Sequence, residues 1–72
     1  MYSIWFGKKA EGFFKSIGLE VPEYPKQGDV IWKGEKVGYC SNFDGISTSD
    51  SELFELCQKN AMKYNLGCWN NA

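Results

Sequence analysis

The sequence predicts a small α+β fold: a three- or four-stranded antiparallel sheet with two helices, in the order β-α-β-β-α, with a further terminal β left open. Three observations carry that expectation. The run Asp29 to Cys40 reads as two short strands joined at Gly34-Glu35, a two-residue hairpin turn with Gly first. Ala10, Phe13, Phe14 and Ile17 recur at i, i+3, i+4 and i+7, one apolar helical stripe. Ser49 and Glu52 form a capping-box pattern ahead of a second, longer amphipathic segment.

Tyr2 to Phe6 is a run of β-favouring residues stopped by Gly7. Alternation sends Tyr2, Ile4 and Phe6 to one side, Ser3 and Trp5 to the other. A hairpin alone is marginal in water, so this strand is expected to join it. The first helix is read over Lys8 to Ile17, weakened by Gly12 and stopped by Gly18 in the left-handed C′ position, with Leu19 folding back over it. Glu20 to Gly28 is a connector stiffened by Pro22 and Pro25, from which Tyr24 docks on the body.

In the hairpin, pairing Lys33 with Lys36 would set Trp32 opposite Val37 and Val30 opposite Tyr39, four apolar side chains on one face. Gly38 would then sit across from Ile31. Beyond Cys40 the chain turns polar, and Asp44-Gly45 marks a turn between Phe43 and Ile46, compatible with a second hairpin and a very short strand. The second helix is expected from about Asp50 to Asn65, capped by Ser49. Its inward stripe is Leu53, Leu56, Cys57, Ala61 and Tyr64, broadened by Phe54 and Met62. Asn65 or Gly67 ends it, and Cys68-Trp69 forms an apolar tail.

Seventy-two residues are read as one domain, 1–72, near the lower limit for a self-sufficient core. Five Phe, four Tyr and three Trp compensate, each burying about 150–250 Å² when interior. All eight cationic residues are Lys, Arg and His are absent, and the formal net charge is −1. The chain therefore lacks the guanidinium fork suited to phosphates and guanine edges, and a side chain that titrates near neutrality when unperturbed. Near-neutral charge also argues against a broad polyanion-binding face.

Cys40, Cys57 and Cys68 are odd in number and widely spaced, unlike a disulfide scaffold. Free thiols in a reducing cytoplasm are expected. The initiator Met and the lack of an apolar leader point the same way, and no window approaches the 18 apolar residues of a membrane span. A zinc site from the three cysteines with Asp44 lacks the close ligand pairs such sites use. Without His, no cysteine has an obvious activating base. Glu52 and Glu55, in the first turns of a helix, are explained by its dipole. Glycine-rich phosphate loops are absent. No catalytic residue, metal or cofactor is therefore expected, and the chain is read as a non-enzyme.

What remains is recognition of another protein. Trp5, Tyr24 and Trp69 are the candidate anchors, with Phe54 as a fourth, because Trp and Tyr dominate interface hot spots. A homodimer is the related option, through the helix face bearing Phe54 or a free edge of the first strand. The rival is single-stranded nucleic acid on a platform of Trp32 and Tyr39 flanked by Lys33 and Lys36, which requires that face to be open to solvent.

Overall fold

The computed structural model describes residues 1–22, 27–41 and 45–71. These form six strands: β1 (Tyr2–Trp5), β2 (Leu19–Glu20), β3 (Gly28–Trp32), β4 (Glu35–Ser41), β5 (Gly45–Thr48) and β6 (Gly67–Asn70). Three helices accompany them: α1 (Ala10–Ser16), α2 (Ser51–Lys59) and α3 (Ala61–Tyr64). The strands make one antiparallel sheet in the order β2-β3-β4-β5-β1-β6. The α+β class holds, but the expected three or four strands and two helices do not. The sheet has six strands, and a third helix follows the second.

The additional strands arise where the sequence signal is shortest. β2 is two residues long and occupies the position where Leu19 was expected to fold over a helix end. β6 converts the tail into an edge strand by pairing with β1, from Tyr2–Asn70 to Trp5–Gly67. β5 supplies the other neighbour of β1, which is therefore an interior strand.

The helices cover the face carrying Ile4, Val30 and Ile46, all completely buried. α1 projects Ala10, Phe13 and Phe14 inward as its spacing requires. Gly18 takes the left-handed conformation (φ 75°) beyond its end. Tyr2 stacks on Phe54 of α2 with ring centroids 4.3 Å apart, and Phe13 stacks on Tyr64 of α3 at 4.8 Å. These contacts join all three helices to one core.

The single helix expected over 50–65 is divided at Asn60. There the side-chain amide donates to the Leu56 carbonyl at 2.8 Å, competing with the helical ladder, and the backbone leaves helical geometry (φ −106°, ψ 9°). The cap is Asp50 rather than Ser49: its Oδ1 accepts from the Leu53 amide at 3.0 Å, and its own amide donates to Thr48 Oγ1. Asn65 takes the left-handed C-cap (φ 56°), with the Leu66 amide donating to the Ala61 carbonyl. Met62, expected to broaden the inward stripe, is 99% exposed, because it lies on the side of α3 away from Ala61 and Tyr64, which pack against the core.

The hairpin also differs. Its turn is Lys33-Gly34, both at positive φ as a type I′ turn requires, so Trp32 pairs with Glu35 and Ile31 with Lys36. An extra residue on β4, Val37, then shifts the register, leaving Val30 opposite Gly38. That shift moves Tyr39 to the face opposite Val30. Trp32 stays inside, 5% exposed, with its indole N–H donating to the Ile17 carbonyl at 2.9 Å. Trp32→Phe removes this donor and leaves the carbonyl unsatisfied. A loss of about 1–3 kcal/mol is expected in urea unfolding, with the far-ultraviolet circular dichroism spectrum retained.

Candidate functional site

The sheet face turned away from the helices is the candidate site, and strand alternation determines what it presents. With Ile4 inward, Ser3 and Trp5 of β1 point outward. Ser3 is opposite Trp69 on one side and Ser47 on the other; Ser47 is opposite Tyr39, and Tyr39 opposite Asp29. Trp69, Ser3, Ser47, Tyr39 and Asp29 thus form an unbroken row across five strands. Trp69 and Tyr39 stand three strand spacings apart, about 14 Å, with two serines between them.

Trp5 lies two residues along β1 from Ser3, about 7 Å. Both tryptophans remain open, Trp5 at 44% and Trp69 at 55%. Their arrangement depends on Gly67, on the same face and opposite Trp5. A Cβ placed there would come within 2.7 Å of the Trp69 ring and 3.5 Å of Trp5 Cβ. The absence of a side chain lets the Trp69 ring lie over β6 beside Trp5. Asn71 reaches back onto this face, its side-chain amide donating to Ser3 Oγ.

Charge on this face sits at its border. Lys36 pairs with Asp29 at 3.3 Å, both more than half exposed, so the pair is worth about 0–1 kcal/mol. Next to Trp5 the surface dips into a hollow flanked by Phe14, Lys15, Glu20, Ile31 and Ser41. Pro22 and Gly45 also line it.

The structure brings Trp5 and Trp69 together and separates Phe54 from them. Phe54 is buried to 7% exposure by its stacking on Tyr2, so it offers no surface to a partner. Tyr24 lies outside the described residues. β1 has no free edge for a homodimer, since β5 and β6 occupy both sides. The nucleic-acid platform is dismantled: Trp32 is in the core while Tyr39, 45% exposed, is on the opposite face. Lys33 pairs with Glu52 at 2.9 Å and lies over the Trp32 ring rather than beside Tyr39.

Sequence reasoning missed Tyr39 as a companion of the two tryptophans, and the serines between them. Strand alternation would have found both once the Val37 bulge was counted.

Burial pushes the pKa of Cys40 and Cys68 up, and that of Cys57 is pushed up to about 12 by burial and, secondarily, by Cys68. Among the described residues no group of three His, Cys, Asp or Glu side chains is placed to hold a metal ion, and no helix is long and apolar enough to cross a membrane. No protein-family model, curated protein or solved structure matches the chain.

Proposed function

We propose that this protein is a non-enzymatic module that binds another protein through the outer face of its sheet, with Trp5 and Trp69 as anchors. The observation that carries this reading is the side-by-side exposure of the two indoles on one face of a six-stranded sheet. Large aromatics bury apolar area at low conformational cost, and a few of them supply most of the binding energy at typical interfaces. Ser3, Ser47 and Gly67 make a low floor that lets a partner approach the backbone closely, while Tyr39 presents a ring with a polar tip.

The ion pair of Lys36 and Asp29 lies where interfaces are usually polar. One face of a 25 × 24 × 23 Å body is of the order of the ~800 Å² per partner that standard interfaces bury. The free thiols suit a reducing compartment, which this reading takes as the protein's setting.

The double variant Trp5→Ala/Trp69→Ala tests the assignment. Both rings are half exposed, so unfolding free energy is expected to change by less than about 1 kcal/mol. Partner binding is expected to fall at least a hundredfold, the effect of losing two hot-spot residues at about 2 kcal/mol or more each. Full retention of binding by a folded double variant would remove the face from consideration.

A further inference from the structure

Cys57 and Cys68 lie on the two elements, α2 and β6, that pack against each other at one end of the core. Cys57 is on the inward side of α2 and completely buried. Cys68 is opposite Ile4 in the sheet, so its side chain points to the same interior, where it packs on the core while remaining partly exposed. α2 packs on β1 and β6, the two strands that carry Ile4 and Cys68. Burial first, and charge on Cys68 second, disfavour the charged form of Cys57.

Cys40 is excluded from partnering Cys68 by the sheet itself. The inner row runs Cys68, Ile4, Ile46, Cys40, which separates the two by three strand spacings, about 14 Å. Disulfides need Cα atoms about 4.4–6.8 Å apart. Cys57 and Cys68, by contrast, are on elements that pack directly against each other.

We propose that Cys57 and Cys68 form a redox-sensitive dithiol that a small disulfide such as glutathione disulfide oxidises to a staple between α2 and β6, locking the strand that carries Trp69. The more accessible Cys68 loses its proton and attacks one glutathione sulfur. The glutathione S–S bond breaks, and one glutathione leaves as a thiolate that takes up a proton. The Cys57 thiolate then attacks the Cys68 sulfur of the mixed disulfide, forming the internal bond and expelling the second glutathione, which is protonated in turn. Two cysteine thiols are oxidised and one glutathione disulfide is reduced to two thiols. Because Cys57 is buried, the second step waits on a local opening between α2 and β6 and is the slower one.

The proposal is independent of the binding function, since the bond is read by mass. The full chain is incubated in native buffer with glutathione disulfide, quenched by alkylation, and analysed by intact mass and peptide mapping. A product lighter by two hydrogens, with Cys57 joined to Cys68 and reversed by dithiothreitol, is expected in the wild type and in Cys40→Ala. It is expected to be absent from Cys68→Ser and Cys57→Ala, the latter chosen to avoid burying a hydroxyl. The oxidised protein should melt several degrees above the reduced one. Reaction that stops at a mixed disulfide on Cys68, an unchanged mass, or a bridge involving Cys40 would overturn the proposal.

Discussion

Gly45→Ala is expected to destabilise the protein by about 2–5 kcal/mol, lowering its melting temperature by more than about 10 °C. Gly45 opens β5 at φ 74°, a conformation that costs an alanine about 1–2 kcal/mol. The added methyl would also lie 2.3 Å from the Ile4 carbonyl oxygen and 3.0 Å from Trp5 Cα. Both are backbone atoms of the adjacent strand, so no rotamer change relieves the clash; β1 must move. A domain of this length has about 4–11 kcal/mol of stability in total, so the loss is a large fraction of it. Thermal unfolding of the purified variant measures it, and a wild-type melting temperature would show that β1 and β5 do not approach this closely.

The second large effect is expected at Leu53. Its side chain is fully buried on the inward stripe of α2, beside Phe54 and Cys57. Leu53→Ala removes buried apolar area and leaves a cavity that the sheet cannot close over, costing about 2–5 kcal/mol. Met62→Ala, a few residues further along, should change stability by less than about 0.5 kcal/mol because its side chain is open to solvent. Urea denaturation of the two variants separates them. Equal losses would contradict the inward placement of Leu53 and the outward placement of Met62.

What could be read from the sequence follows the length of each signal. The stripe of α1 spans two turns and is placed as its spacing requires. The inward positions of α2 up to Cys57 are likewise legible. Beyond Asn60, Ala61 and Tyr64 keep the expected inward side, but the break itself, where a side-chain hydrogen bond to Leu56 interrupts the ladder, leaves no mark in the periodicity. β2 is two residues long, and β6, as long as β1, lacks its run of β-favouring residues; pairing partners remote in sequence hold both in place.

The hairpin error is the most instructive for function. Lys33 at positive φ displaces the turn, and the Val37 bulge then moves Tyr39 to the opposite face. Neither a non-glycine left-handed residue nor a bulge has a strong local signature, and the bulge alone moves Tyr39 from the core face to the outer one. The outward position of Trp5 needed only the alternation of β1. That of Trp69 depended on β6 pairing with β1, which the sequence left open.

Crosslinking from the centre of the aromatic row tests the functional reading most directly. A photoreactive residue replaces Ser47, between Ser3 and Tyr39, and a control carries it at Glu55 on the exposed side of α2. Both are irradiated in nuclease-treated extract of the source cells, alone and combined with Trp5→Ala/Trp69→Ala. The account predicts one discrete protein adduct from position 47, absent from position 55 and lost in the double variant. Equal labelling from both positions, or an adduct at 47 that persists without the two tryptophans, would contradict it.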